Sequence, residues 1–303
     1  VGEKPLYYYQ EEDRLVFASE IKAIVADPTV PREVSPRGLS NYLAFGHSMA
    51  PDTIYKGIFK LLPAHYMIAR EGRVEIAEYW DVGDEPQCSG DGKPDEREYT
   101  GRILGLLDDS VRRRMVADVP VGAFLSGGID SSAVVALMRR HATGTVKTFS
   151  LGFSIGGAYN ELPDARRVAN HFGTEHHELR VDRFDMVQTL QKLVYHFDEP
   201  FSDPANFPVY LLSEFARREV TVILTGEGGD ELFGGYRRYV AEQAAGAYQK
   251  LPRFLTDGVV PGIVNSVPRL RRMKRIVQTL PIADPALRYP AWLQVFSREM
   301  RND

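Results

Sequence analysis

The sequence predicts an α/β fold built on a doubly wound parallel sheet, and three observations carry the prediction. First, Ser126-Gly127-Gly128-Ile129-Asp130-Ser131-Ser132 lies between a short apolar run over 121–125 and a stretch over 131–141 with Ala133, Val134, Leu137 and Met138 at helical spacing. That helix stops before Gly144. Second, Thr225-Gly226-Glu227-Gly228-Gly229-Asp230 follows another apolar run, 220–224, and again joins glycines to acids. Third, helix and strand patterns alternate from Tyr99 through this second turn. In a parallel sheet the loops after the strands lie along one edge, so the two turns can face one ligand from either side.

Taken in order, residues 1–82 read as a β-rich unit. Runs 6–9 and 15–18 flank the polar turn 11–14, and runs 65–69 and 73–79 join across Glu71-Gly72, giving two hairpins with a helix over 36–45 between them. Residues 83–97 are polar, contain Gly and Pro and lack periodicity, which marks a linker that includes Cys88 as an incidental surface thiol. From 98 to 303 the pattern predicts a helix over 104–115, the first turn with its strand and helix, and a strand over 146–153. A helix through Ala165, Val168, Ala169 and Phe172 follows, closed by Gly173, then a strand over 178–181. Asp182 is expected to cap the next helix, with Val187, Leu190, Val194 and Phe197 as its buried face. A helix over 208–217 leads into the strand over 220–224. Beyond Tyr236 the pattern is helical but broken by Pro252, Pro261 and Pro268, and no internal repeat is present.

The 303 residues are 44% hydrophobic and 26% charged, with a formal net charge of -4, which suits a globular protein acting on small molecules and gives no general pull toward nucleic acid or anionic membranes. A single cysteine excludes an internal disulfide and a cysteine-based zinc cage, and with no apolar leader or long apolar run the sequence reads as cytoplasmic. Val1 is not an initiator methionine, so the chain reads as an excised piece of something longer.

The first turn reads as a phosphate cradle. Adjacent glycines flanked by hydroxyl residues let backbone N–H groups approach an anion, and the helix beyond adds its unpaired donors and the positive end of its dipole. No lysine occupies the turn, which separates it from the Walker A loop. An acid beside bound phosphate repels it unless a divalent cation intervenes, so Asp130 is expected to hold magnesium.

Ser126 to Ser132 resembles the Ser-Gly-Gly-x-Asp-Ser loop of the N-type ATP pyrophosphatases, which cleave ATP to AMP and pyrophosphate. With the second turn, which continues as Glu231-Leu232-Phe233-Gly234-Gly235-Tyr236, the sequence is similar to glutamine-hydrolysing asparagine synthetases. Lys4-Pro5-Leu6-Tyr7-Tyr8, Phe17-Ala18-Ser19-Glu20-Ile21-Lys22-Ala23 and Leu62-Pro63-Ala64-His65 resemble the closing part of the class II (Ntn-type) glutaminase domain of that family. Ala64 replaces the glycine usual there, which puts the local backbone conformation in question.

The resemblance implies ATP as co-substrate, magnesium as cofactor, and aspartate with ammonia, or glutamine, as the other substrates. The domains it implies are a partial glutaminase over 1–82, the linker 83–97, and a truncated ATP-pyrophosphatase domain over 98–303. It places Ser126, Gly127, Gly128, Ser131 and Ser132 around the outer phosphates, Leu125 and Leu151 at the adenine, and Thr225 and Gly226 as backbone contacts. Asp130 and Asp230 become metal ligands, and Glu227 the acid that assists the attack of ammonia. For the two leucines, plain core packing is an equal alternative. A homodimer is left open.

Other features weigh less. Asp198-Glu199-Pro200-Phe201-Ser202-Asp203-Pro204 reads either as a loop near the acceptor amino acid or as an acid-rich turn between helices. His176 and His177, adjacent on a strand, point to opposite faces and read as structural. Arg112-Arg113-Arg114 and the basic run 269–275 read as solvated helix faces. The chain lacks the N-terminal cysteine of a class II glutaminase, so no glutamine hydrolysis is expected of it. It also stops before the family's later lysine. The competing readings are a β-lactam-synthetase-like or other ATP-dependent amidotransferase acting on a different carboxylate, and a nucleotide-binding remnant.

Overall fold

The computed structural model of the chain describes residues 2, 4–84, 95–154, 160–252, 254–267, 274, 276–277 and 279–296. The expected linker falls largely outside these residues, Cys88 included, as do the basic run 269–275 apart from Lys274 and the chain end. The fold divides into two units. The first comprises Val1–Pro86, Val194–Asp203 and Tyr236–Asp303, and the second Gln87–Leu193 and Pro204–Gly235.

In the first unit, strands β1 (Tyr7–Glu11) and β2 (Arg14–Ala18) form an antiparallel hairpin, and β3 (Ile58–Lys60) pairs with the free edge of β1. Helix α1 (Ile21–Val25) covers this sheet, burying Ile21 and Ile24 against Tyr9, Val30 and Ile58. Helix α2 (Pro36–Phe45) spans the residues that the sequence indicates, because its ends are well marked. The Ser35 hydroxyl accepts from the Gly38 N–H at 3.1 Å, Pro36 opens the first turn, and Gly46 ends the helix at φ 82°. The second hairpin, β4 (His65–Arg70) and β5 (Arg73–Glu78), turns through Glu71 and Gly72, both at positive φ as such two-residue turns require. Ala64 answers the question raised by its sequence. It adopts φ 58°, the left-handed conformation that suits glycine, at a cost on the order of 1 kcal/mol.

The second unit opens with α3 (Glu96–Arg114), which begins eight residues before the sequence expectation. Its first two turns lack an apolar stripe, and the start is set by Asp95, whose carboxylate accepts from the Arg97 N–H at 2.9 Å. There follow β6 (Val121–Phe124), α4 (Ile129–His141), β7 (Lys147–Phe153), α5 (Leu162–Phe172), β8 (Glu175–Val181), α6 (Met186–Phe197), α7 (Asn206–Ala216), β9 (Val222–Leu224) and α8 (Gly229–Phe233). The four strands are parallel in the order β8-β7-β6-β9. The chain runs outward from β6 to β8 and returns to the other side of β6, which makes the sheet doubly wound and puts its switch point between β6 and β9. Successive residues of β6 serve opposite faces. Ala123 joins Val134, Val135 and Met138 of α4 and Ala165 and Ala169 of α5, while Phe124 packs with Phe149, Val220 and Ala216. Each fully buried Val, Leu or Met in these clusters contributes about 1.5–3 kcal/mol.

Helix α6 departs from the sequence expectation. Val187, Leu190, Val194 and Phe197 are exposed, Val187 at 68%, and the helix buries Thr189 and Leu193 instead. Asp182 does not cap it but accepts from the Ser154 hydroxyl. Asp185 takes the capping place, its carboxylate accepting from the Gln188 N–H at 2.9 Å. The expected features of β8 and α3 hold. The His176 ring hydrogen-bonds Thr148 at 2.9 Å while His177 stacks on Phe149 on the other face. Arg112 and Arg113 pair with Asp109 on the solvated end of α3.

The rest of the first unit is helical: α9 (Arg237–Tyr248), a π-helical stretch Phe254–Val259, α10 (Val260–Ser266) and α11 (Pro285–Leu293). Arg288 of α11 is buried and donates to Glu242 of α9 at 2.9 Å, a hydrogen bond that holds the Glu242 carboxyl below its ordinary range.

Candidate active site at the carboxyl ends of β6 and β9

The turn after β6 is stitched by its own serines. The Ser126 N–H donates to Ser131 Oγ at 3.2 Å, the two hydroxyls lie 2.9 Å apart, and the Gly128 N–H donates to Ser126 Oγ at 3.2 Å. Ser131 Oγ in turn donates to the Gly128 carbonyl at 3.3 Å. These two hydroxyls therefore shape the turn, which leaves the backbone to meet a ligand. Gly128 stands at the N-cap of α4 and, having no side chain, offers the N–H groups of the first turn no capping acceptor. Ser132 Oγ, just inside the helix, is buried and has no hydrogen-bond partner among the described residues. An uncapped N-terminus on a 13-residue helix, with an unsatisfied hydroxyl beside it, is built to receive an acceptor-rich anion.

Gly127 explains the first glycine of the pair. It sits at φ 83°, and a Cβ there would stand 2.6 Å from the Asp164 carbonyl carbon and 2.7 Å from the Ala165 nitrogen. The first turn of α5 thus closes directly over the loop.

The second turn lies on the first. A Cβ at Gly226 would come within 2.9 Å of both Asp130 Cβ and the Ser131 nitrogen, and one at Gly229 within 2.7 Å of Asp130 Cγ. Only glycine permits this approach, which seats the loop after β9 against the first turn of α4 and sets the Asp130 carboxylate over Gly229. Gly228, at φ 91°, makes the bend, and the Glu227 N–H donates to Thr225 Oγ1 at 3.4 Å.

The remaining sequence-derived site residues fall as follows. Asp230 follows Gly229 on α8, and its carboxylate packs over Gly235, where a Cβ would meet it at 1.9 Å. Glu227 is exposed, where general-base work suggested a partly buried carboxylate. Leu125 is buried in the core with Ala123 and Val134, while its carbonyl accepts from Ser150 Oγ. Leu151 is half-buried on β7, in register with Leu179.

The same sheet edge holds a pocket of about 320 Å³ that sequence reasoning missed, lined by Gly152, Phe153, Asn160, Leu162, Arg166 and Arg180 among others. Arg166 makes a bidentate pair with Glu178 at 2.8 and 2.7 Å, which holds the Glu178 carboxyl below its ordinary range. The only sequence signal for this pocket was position, at the carboxyl ends of β7 and β8.

Comparison with known families decides the lineage. The family model for asparagine synthase matches residues 102–301, about two thirds of the chain. The chain belongs to the asparagine synthase family. A second model, the glutamine amidotransferase domain, matches residues 1–80. The chain is 38% identical over 262 residues to a Methanocaldococcus jannaschii protein whose assignment as glutamine-hydrolyzing asparagine synthetase 2 is provisional, a match covering 84% of this chain and 49% of that protein. It is 34% identical over 253 residues to asparagine synthetase (glutamine-hydrolyzing) 1 of Bacillus subtilis strain 168, covering 83% of this chain and 39% of the relative. The chain thus spans half or less of the length of these relatives. Among solved structures, the NH3-dependent NAD synthetase from Campylobacter jejuni overlaps 67% of this chain and 96% of its own at 15% identity and a TM-score of 0.33, which adds nothing to the asparagine synthase assignment. No helix among the described residues is long and apolar enough to cross a membrane.

Proposed function

We propose that the chain carries the ATP-pyrophosphatase site of an asparagine synthetase, in which the side-chain carboxylate of aspartate attacks the α-phosphorus of ATP. Pyrophosphate leaves, ammonia attacks the acyl carbon of the resulting aspartyl adenylate, and asparagine and AMP are the products. The observation that carries this reading is the seating of Gly226 and Gly229 on Asp130, which brings both turns to the switch point beside the uncapped start of α4. The division of labour we propose follows the sequence: glutaminase-type residues over 1–82, a linker over 83–97 and the synthetase part over 98–303.

The backbone of Gly127 and Gly128, with Ser126, Ser131 and Ser132, would bind the outer phosphates, the unsatisfied Ser132 hydroxyl being the side chain free to donate. Thr225 and Gly226 would bound the nucleotide through the backbone. Leu151, which is only partly buried, suits the adenine better than Leu125, whose side chain is taken up by the core. Magnesium fits the ligands assigned to it, one carboxylate from each turn, Asp130 and Asp230, since both are hard oxygen donors. One or two carboxylates completed by phosphate and water is the usual magnesium arrangement. When bound, the ion would supply charge that offsets what develops on the leaving pyrophosphate. Glu227, free in solvent on the second turn, would take the proton from the attacking ammonia.

Exchange of labelled pyrophosphate into ATP tests the reading when the full-length protein is screened across the amino acids. Aspartate alone is expected to support exchange. Exchange with another acid would reassign the acceptor, and its absence with every acid would remove adenylation.

A further inference from the structure

Helix α5 rests on two glycines of the second unit, and its own buried face does little to fix where it sits. Its start closes over Gly127 of the phosphate turn and over Gly152 of β7, where a Cβ would meet Leu162 Cγ and Cδ1 at 2.6 Å. The residues it buries are Leu162, Ala165 and Ala169. Alanines let a helix approach a sheet closely, but with no side chain beyond Cβ they interlock weakly and leave its rotation and slide to other contacts. Two polar ties supply these. At the far end, Arg139 Nε of α4 donates to the Phe172 carbonyl at 3.0 Å. Near the start, the side-chain tie from α5 to the sheet among the described residues is the fork of Arg166 on Glu178. Arg166 directly follows Ala165, whose nitrogen faces Gly127.

Glu178 is the fixed member of the pair. It lies on the edge strand β8 in register with Ser150, between His176 and Arg180 on the same face. Its side chain is 16% exposed and that of Arg166 47%, so the acid is anchored in the sheet and the arginine is the group it holds. Arg180 adds a second cation at 3.5 Å. His176 Nε2, a buried atom with no hydrogen-bond partner among the described residues, stands 3.8 Å from Glu178 Oε1. Burial lowers the His176 pKa, so at neutral pH this ring carries no charge to draw the carboxylate away from Arg166. A two-bond guanidinium–carboxylate pair fixes direction as well as distance, which a lone ammonium would not.

We propose that Glu178 and Arg166 are positioning residues for the phosphate turn: the carboxylate on β8 holds the guanidinium of α5, and so holds the first turn of α5 over Gly127. The proposal rests on the ATP-pyrophosphatase reading given above. The backbone of Gly127 and Gly128 is where the outer phosphates were assigned, so a shift of α5 reaches the ligand through Gly127. A displacement of about 1 Å at a binding group can cost roughly a hundredfold in rate. The pair therefore serves ATP and pyrophosphate, and the acceptor amino acid is indifferent to it.

The test uses the full-length protein with Glu178→Gln, Arg166→Met, Arg166→Lys and the exchanged pair Arg166→Glu with Glu178→Arg. Aspartate-dependent ATP–pyrophosphate exchange is followed as each of its three substrates is varied, and melting temperature is measured alongside. Glu178→Gln and Arg166→Met are expected to raise the apparent KM for ATP and for pyrophosphate about tenfold, while that for aspartate stays within about twofold. Arg166→Lys, which keeps the charge but not the fork, is expected to fall between them and the unmodified protein, and it carries the test if the neutral variants do not fold. The exchanged pair is expected to recover part of the loss. Unchanged KM values for ATP and pyrophosphate overturn the proposal. So does a loss in the Arg166 variants that Glu178→Gln does not share, which would make Arg166 a direct ligand of the anion. Equal changes for all three substrates, in step with the melting temperature, overturn it as well, since the pair would then be structural only. Lack of aspartate-dependent exchange in the unmodified protein would instead overturn the functional reading itself.

Discussion

Glu227→Gln in the full-length protein is expected to leave aspartate-dependent ATP–pyrophosphate exchange largely intact while asparagine formation falls roughly a hundredfold or more, the scale of losing a general base. The two half-reactions separate because the turn separates its acids. Asp130 lies over Gly229, where the two turns meet, and Asp230 packs over Gly235, whereas Glu227 stands exposed on the outer bend, its backbone N–H bonded to Thr225. Glutamine keeps the size and an acceptor oxygen but cannot take a proton. Asp130→Asn serves as the contrast: it removes a charge where the outer phosphates and their cation would sit, so exchange itself should fall with asparagine formation. Equal loss of both half-reactions in Glu227→Gln would place this residue at adenylation or in the architecture of the loop.

Gly127→Ala is expected to damage the site through the backbone alone. Its methyl group would fall 2.6–2.7 Å from main-chain and Cβ atoms of Asp164 and Ala165, and the residue would also have to hold φ 83°. Neither problem has a flexible side chain to absorb it, so either the turn or the start of α5 must shift. A loss of about 2–4 kcal/mol in unfolding free energy is expected, together with loss of ATP–pyrophosphate exchange. Gly144→Ala provides the control: no atom outside its chain neighbours lies within 4 Å of its added Cβ, and the change should stay within about 0.5 kcal/mol. Denaturant unfolding of both variants measures the difference, and a neutral Gly127→Ala would mean that the turn is not held as described.

Much of this architecture was legible in the residues because local signals agreed with the tertiary result. Ser35, Pro36 and Gly46 mark both ends of α2, Glu71-Gly72 marks its hairpin, and the apolar runs before the two glycine-rich turns became parallel neighbours β6 and β9. The failures came where burial is decided by distant chain. The apolar stripe of α6 has helical spacing, but spacing does not say which face finds a partner, and Val187 and Leu190 remain exposed. At the site, residue type announced a phosphate turn but not the use of each hydroxyl. Ser126 and Ser131 bond to each other, leaving Ser132 unsatisfied, a distinction that depends on rotamers and helix phase. The acid-rich segment 198–204 lies between α6 and α7, as the turn its sequence allows, but the lysine partners of Asp198 and Glu199, Lys22 and Lys60, lie about 140–180 residues earlier in the chain, beyond any local reading.

The most direct measurement of the central claim follows oxygen. Aspartate labelled with oxygen-18 in its side-chain carboxylate is supplied with ATP and ammonium to the full-length protein, and the nucleotide and phosphate products are analysed by mass. If that carboxylate attacks the α-phosphorus and ammonia then displaces AMP, each asparagine formed leaves one labelled oxygen on AMP, and pyrophosphate stays unlabelled. AMP without label, or ADP with labelled inorganic phosphate in its place, would contradict adenylation at the paired turns.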